Sequence, residues 1–470
     1  MGEIKFTEQQ QSVIRTSDKN ILVSAAAGSG KTTVLVERII RKITRKDNPV
    51  RIDKILVLTF TNAAAAQMRE KIEEAIEKQI KENPDDENLA RQAVLVHNAQ
   101  ITTIHSFCMF LLKNHFEEAG IDPSFRPASE GEIKLVEGKV VEALVDELFE
   151  TGAVSNFELL ADRFAGKNSL AGLKQVILSA YKECRNAPFV DEYLEDRRKD
   201  YRVEGDRLDD NEWVQSYLED ARNIIGEAQR ITEGNLNGCR AEGGAYGYIK
   251  NLEEDWTFFD EAAGCRTYDE FRDYFVNNEM GRLSGKKMPE TDPEVIAKAK
   301  DLRNVVKDDL NKKLKTMFAI SSDTIIERMK GNEIIENALV DVLYLYDKRL
   351  REEKDRRKII DFSDMEHLAL SILVKRENRK SIPSKIALEY ADFYDEIMVD
   401  EYQDSNMIQE EILESISGKV NSRFNRFMVG DVKQSIYRFR NACPDIFMEK
   451  YDSYPVKKPD YDDKNAVCVL

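Results

Sequence analysis

Two short stretches carry residue types whose spacing could do chemistry. Residues 25–32 read AAAGSGKT and residues 400–406 read DEYQDSN. The first fits the phosphate-binding pattern G-x-x-x-x-G-K-[ST], except that Ala25 holds the first glycine position. Gly28 and Gly30 let backbone N–H groups turn inward around phosphate oxygens, helped by the positive end of the helix that follows. Ala26, Ala27, Ser29 and Thr33 complete the cradle. Lys31 is placed to reach the β- and γ-phosphates of ATP, and the Thr32 hydroxyl to bind Mg²⁺. In the second stretch an apolar run (Ile397, Met398, Val399) leads straight into two acids. Asp400 is the expected Mg²⁺ acid, and Glu401, one residue on, is placed to orient and deprotonate the attacking water. A lone VDE is as often a solvated turn. The phosphate loop earlier in the chain gives this one a chemical purpose.

Six apolar runs position these residues: NILVS (20–24), KILVLTFT (54–61), QITTI (100–104), EIMVD (396–400), RFMVGD (426–431) and AVCVL (466–470). All but the last lead into a polar loop and a helical pattern. That alternation predicts a parallel sheet with helices on its faces, and ligand loops at the carboxyl ends of the strands. From about 120 to 355 the chain turns helical, as in Leu218, Ala221, Ile225, Ala228 and Ile231, which share one face. KENPDDENLARQ (81–92) reads as a charged loop entering a helix, and EGNLNGCRAEGGAYG (233–247) as a glycine-rich connection. Trp213 and Trp256 read as core aromatics of the helical region. Asp361 and Asp364 in DFSDM read as a helix-start cap.

Bulk properties narrow the class. A chain of 470 residues suggests two to four domains at about 100–200 residues each. With 42% hydrophobic and 33% charged residues it has ample core material, and no run nears the roughly 18 apolar residues of a membrane span. The first 20 residues are polar, with no signal-peptide core. The six cysteines are scattered without a CxxC pair, which argues against a zinc or iron–sulfur site and fits a cytoplasmic protein. A net charge of −17 disfavours a basic DNA-coating protein but is compatible with a local basic groove.

FTEQQQSVI (6–14), TFTNAAAAQM (59–68), TTIHSFC (102–108), DEYQDSN (400–406) and VGDVKQSIYRFR (429–440) complete an ordered set around the phosphate loop. With these motifs the chain resembles the superfamily 1 DNA helicases of the UvrD/Rep type. AAAGSGKT, TIHSFC and KQSIYRFR resemble the AddA/RecB helicase–nuclease branch more closely; UvrD itself usually has a tryptophan where Phe439 stands. The resemblance implies an α/β, RecA-like P-loop NTPase domain (1A, residues 1–120 and 356–470) with a large α-helical insertion domain (1B, 121–355). It implies that Gln10 recognises the adenine edge, and that Gln403 and Gln434 sit near the γ-phosphate. Thr61 and Asn62 would contact the DNA backbone, with Phe60 and His105 close by. Tyr437 and Phe439 would stack on bases, with Arg440 bridging DNA and nucleotide regions; aromatics grip single strands without reading sequence. Phe60 and Phe107 also suit a core, since aromatics after strands often pack inward.

The implied activity is ATP-driven 3′→5′ movement on single-stranded DNA, serving double-strand break repair in the cytoplasm beside an AddB-like helicase–nuclease partner subunit, with no membrane involved. The family motor has a second α/β domain that supplies two arginines to the γ-phosphate, and AddA carries a nuclease domain later still. Neither has a counterpart in these 470 residues. Such arginines are worth roughly 10³–10⁵ in rate, so this chain alone is expected to bind Mg-ATP weakly and hydrolyse it poorly. Two other readings fit the same motifs: a UvrD/Rep-type repair helicase without a nuclease, and an ATP-switch DNA-binding module that does not turn over.

Overall fold

Short runs of branched aliphatic residues become strands where both of their faces can be buried. In this computed structural model, which describes residues 5–26, 28–166, 169–203, 207–435, 442–456 and 464–470, every apolar run named above contains a strand. They are β1 (Asn20–Ser24), β2 (Ile55–Thr59), β3 (Ile101–Thr103), β4 (Glu396–Val399), β5 (Arg426–Gly430) and β6 (Asn465–Val469). They form one sheet in the order β6–β1–β5–β4–β2–β3, and every pairing is parallel. β2, β4 and β5 are buried along their whole length, as a sheet covered on both faces requires.

The period of two along each strand divides the core. Leu22, Leu56, Leu58, Ile397, Val399 and Met428 face one apolar cluster. Ile21, Val23, Ile55, Val57, Met398 and Phe427 face the other. Six helices matter here: α1 (Glu8–Arg15), α2 (Lys31–Ile43), α3 (Asn62–Glu82), α4 (Ile104–Asn114), α5 (Phe362–Leu373) and α6 (Met407–Ser415). α1, α2 and α3 cover the second cluster through Val13, Leu35, Ile39, Met68 and Ile72. α4, α5 and α6 cover the first through Phe107, Leu111, Met365, Ala369 and Ile412.

A buried ion pair ties the first helices to the sheet. Arg38 of α2 donates through Nε and Nη2 to Glu396 Oε1 (2.9 and 2.6 Å), and through Nη1 to the Val13 and Thr16 carbonyls. Lys42 Nζ meets the other Glu396 oxygen at 3.0 Å.

The chain divides into two compact units, Met1–Val154 with Ala161–Leu194 and Asp341–Leu470, and Ser155–Leu160 with Glu195–Val340. Residues 121–154, 161–194 and 341–355 fall in the first unit, and 155–160 and 195–340 in the second. Helices Glu130–Thr151 and Ala171–Cys184 fall in the sheet-bearing unit. There Tyr181 Oη donates to Asp347 Oδ1 (2.8 Å), and Arg185 pairs with Asp364.

The second unit is helical and has its own core, in which Leu218, Ala221, Ile225 and Ala228 pack with Phe258, Phe259, Phe271 and Phe318. Two expectations fail here. Helix Glu212–Arg240 runs through the first half of the expected glycine-rich connection, because Asn235, Leu236 and Cys239 continue its buried stripe. Trp213 and Trp256 are 44% and 37% exposed rather than core residues. Each lies one position off a buried stripe, beside Val214 and Asp255 respectively.

Candidate nucleotide and DNA site

Parallel strands bring all their carboxyl ends to one edge, so the loops after β1, β2, β3, β4 and β5 converge there. The loop after β1 begins with Ala25, whose N–H donates to the Gly430 carbonyl at the end of β5 (3.0 Å). Ala25 is buried and absent from the residues of positive φ, so a side chain is tolerated at the first position of the motif. The left-handed turns fall instead on Gly28 (φ 76°) and Gly30 (φ 81°), and Gly30 opens α2. Ala26 is exposed, Ala27 lies outside the described residues, and Thr32 and Thr33 are half-buried in the first turn of α2. Ser29 Oγ is buried with no hydrogen-bond partner, a polar atom whose lone pairs and proton point at no protein group. Gln10 lies against this turn, donating from Nε2 to the Ser29 carbonyl (2.9 Å) while its Oε1 accepts from Thr7 N–H in a capping box.

Across the edge, the Asp400 N–H still pairs with the Leu58 carbonyl (2.9 Å), and the Asp400 carboxylate accepts from the Glu401 N–H (3.1 Å). Burial and the neighbouring Glu401 charge push the Asp400 carboxyl up to about 6, with Lys31 opposing them. Glu401 is left-handed (φ 54°, ψ 46°), a conformation that costs a non-glycine residue about 1–2 kcal/mol. That turn aims its carboxylate back at the phosphate loop. Glu401 Oε2 accepts from Lys31 Nζ at 2.8 Å and from Gln403 Nε2 at 2.9 Å.

Gln403 is 1% exposed. Its Nε2 also reaches Asp404 Oδ2 (3.3 Å), and its Oε1 accepts from the Asp431 N–H (2.9 Å). It thus locks the loop after β4 to the loop after β5. Gln434 Nε2 donates to Asp431 Oδ2 (2.6 Å) in the same loop. Gly430 is required beneath this lock, because a Cβ there would collide with the Gln403 side-chain oxygen and lie 3.2 Å from its backbone nitrogen.

The expected DNA residues flank these loops. Thr61 caps α3 by accepting from the Ala64 N–H (3.1 Å), and Asn62 follows it, both exposed. Phe60 is half-buried and lines a small cavity with Asp400, Glu401, Asp404 and Gln409. Phe107 belongs to the core. His105, on α4, sits 3.2 Å by its Nε2 from Glu366 Oε1 and lies edge-on to Phe362, with ring centroids 5.0 Å apart. Tyr437, Phe439 and Arg440 lie outside the described residues.

Phe362 and Glu366 are the residues that sequence reasoning missed. DFSDM forms the cap its sequence predicts: Asp361 and Asp364 make a reciprocal capping box at the start of α5, both held by Lys354 Nζ at 2.6 and 2.7 Å. The spacing i, i+4 puts Phe362 and Glu366 on one face of that helix. Phe362 is 55% exposed and Glu366 is buried. Burial raises the Glu366 carboxyl, but hydrogen bonds from His105, Gln409 and Asn406 outweigh it and leave it below the usual range.

Chemically, the edge offers backbone N–H groups, one ammonium and two adjacent carboxylates. Thr32 and Asp400 could hold a divalent cation, whose charge would offset the burial and the Glu401 charge that raise Asp400. Among the described residues no group of three or more His, Cys, Asp or Glu side chains could hold a metal. Among the described residues no helix is long and apolar enough to cross a membrane.

Comparison with known proteins gives the family. Residues 6–455 match the family model described as UvrD/REP helicase N-terminal domain. Three similar proteins are each named as a subunit of an ATP-dependent helicase/nuclease. The one from Lachnoclostridium phytofermentans is 39% identical over 464 residues, covering 97% of this chain and 34% of the relative. The one from Thermoanaerobacter pseudethanolicus is 39% identical over 472 residues, covering 99% and 38%. The one from Clostridium acetobutylicum is 37% identical over 486 residues, covering 100% and 38%. The chain thus spans little more than a third of the length of these relatives.

Proposed function

The chain belongs to the UvrD/REP helicase N-terminal domain family, and from that premise we propose that it is the nucleotide-binding part of an ATP-driven 3′→5′ DNA helicase. The 2.8 Å contact between Lys31 Nζ and Glu401 Oε2 carries this reading. It joins the phosphate loop to the acid that would activate water, and it suits a site where phosphate oxygens compete for Lys31. When Lys31 turns to the β- and γ-phosphates, Glu401 is left with Gln403 as its donor and becomes free to orient water and accept its proton. Ser29 Oγ and the N–H groups of residues 28–31 hold the phosphates. Thr32 and Asp400 would hold Mg²⁺, which would supply charge neutralisation at the transferring phosphoryl group. Gln10 lies over the phosphate loop, where its amide can exchange Ser29 for an adenine edge. Gln403 and Gln434 relay the state of that site to the loop after β5.

Single-stranded DNA lies along Thr61, Asn62, Phe60, His105 and Phe362; Tyr437, Phe439 and Arg440 are assigned to DNA on their motif alone. The segments 1–120 and 356–470 serve as domain 1A and 121–355 as domain 1B. The helicase/nuclease name of the relatives extends the reading to a cytoplasmic helicase–nuclease that processes double-strand breaks beside a partner subunit.

The test is steady-state ATP hydrolysis and fluorescent-nucleotide binding by this chain, with and without single-stranded DNA. Nucleotide binding that disappears in Lys31→Ala is expected, with slow turnover. Binding unaffected by that substitution would remove the reading. Strand unwinding by these 470 residues alone would overturn the assignment of a part rather than a whole motor.

A further inference from the structure

Glu366 joins two parts of the site that the function described above leaves unconnected. Its side chain is 7% exposed. Three donors converge on it: His105 Nε2 on Oε1 (3.2 Å), Gln409 Nε2 on Oε1 (2.6 Å) and Asn406 Nδ2 on Oε2 (3.0 Å). His105 is half-exposed beside Phe362, on the expected DNA face. Asn406 closes the DEYQDSN segment that carries Asp400, Glu401 and Gln403, and it caps α6 by accepting from the Gln409 N–H (2.8 Å). Two hydrogen bonds, from His105 to Glu366 and from Asn406 to Glu366, therefore separate an imidazole on the expected DNA face from the loop that grips Lys31.

We propose that Glu366 is a positioning residue through which DNA bound at His105 and nucleotide bound at the Lys31–Glu401 pair alter each other's affinity. The proposal rests on the function argued above. The chemistry requires a carboxylate: three donors meet two oxygens, and a glutamine would turn one of them into a fourth donor. When a DNA phosphate takes the His105 N–H, Glu366 Oε1 loses one of its two donors. The carboxylate then rebalances on Gln409 and Asn406, and the end of the 400–406 loop moves with it. By linkage the effect is reciprocal, so nucleotide at the loop changes the hold on DNA by the same factor.

The test measures the dissociation constant of a fluorescent ATP analogue with Mg²⁺, with and without saturating oligo-dT, for the wild-type chain, Glu366→Gln and Asn406→Ser. Serine keeps the helix cap but is too short to reach Glu366, so it covers the case in which Glu366→Gln misfolds. The wild type is expected to show a coupling of fivefold or more, within the usual range for linked sites. Both variants should bring that factor near one while each separate affinity stays within about threefold. A merely structural role would weaken the separate affinities and leave the factor intact. Variants that keep the wild-type factor overturn the proposal. A wild type that binds both ligands without coupling also overturns it, yet spares the proposed function. Loss of nucleotide and DNA binding in the wild type itself removes both.

Discussion

Lys31 Nζ and Glu401 Oε2 lie 2.8 Å apart although 370 residues separate them in sequence. The pair forms because β1 and β4 both flank β5, which brings their carboxyl ends close, and because the left-handed turn at Glu401 swings its carboxylate toward the phosphate loop. One ammonium thus holds one acid, while burial and the charge of Glu401 raise the other, Asp400.

Glu401→Gln should separate binding from turnover. The amide is nearly isosteric and keeps a polar contact with Gln403, but it neither pairs with the Lys31 charge nor accepts a proton from water. Nucleotide affinity should hold or tighten, since Lys31 is released to phosphate. DNA-stimulated hydrolysis should fall by about 10²–10⁴, the usual contribution of a general base. Single-turnover hydrolysis beside equilibrium binding measures both, and equal hydrolysis in variant and wild type would show that another group handles the water.

Phe362→Ala tests the DNA face. An exposed ring packed edge-on against His105 offers a base a stacking surface, and such stacking is worth about 1–3 kcal/mol per base. Affinity for oligo-dT should drop about 5- to 150-fold, with Mg-ATP affinity unchanged, as fluorescence anisotropy can measure. Unchanged DNA affinity would put the track elsewhere on this edge.

The fold was legible because a sheet buried on both faces must be written as nearly continuous aliphatic runs, and all six runs became strands. The Gly28–Gly30 turn and the acids that end β4 were legible as features of one sheet edge, because each stretch follows an apolar run that forms a strand. The surroundings of Glu366 were not, because its donors come from α4, α6 and the residue that caps α6, which no local pattern around DFSDMEH announces. The lock made by Gln403 was hidden for a similar reason: its partner is a backbone N–H on another strand's loop. Helix periodicity found the buried stripe of Leu218 to Ala228. Trp213 and Trp256 are exposed because phase on the helix, not side-chain size, decides burial.

Gly430→Ala should damage the site from below. The added methyl meets the Gln403 oxygen and comes within 3.0 Å of the Phe447 ring, so the buried glutamine must move and its bond to the Asp431 N–H must stretch. Overpacking of this kind costs about 1–3 kcal/mol. Both tryptophans lie in the other compact unit, so their fluorescence does not follow this one. Amide exchange in β1 and β5 is the suitable readout. Shortening the neighbour in Gly430→Ala/Gln403→Ser should recover part of the loss, a non-additivity expected only for residues in contact. Strictly additive effects would mean that the collision is relieved some other way.

His367 should make the sheet-bearing unit sensitive to mild acid. Burial, reinforced by the nearby Arg185 charge, lowers its imidazole to about 4, and one ring nitrogen lies 3.0 Å from the Arg185 carbonyl. The folded value lies below the unfolded one of about 6.5, so between those values the unfolded chain binds more protons. The contribution of this group is therefore fully present above about pH 6.5 and is lost as pH falls toward 4, for a total on the order of 3 kcal/mol. His367→Gln keeps a donor for the Arg185 carbonyl and removes the titration. The pH dependence of unfolding by amide exchange, compared between the two proteins, should be shallower in the variant by up to about 1.4 kcal/mol per pH unit within that window. Parallel curves would mean that the imidazole protonates in place, with water reaching it through the cavity that Arg185, Lys354 and His367 line.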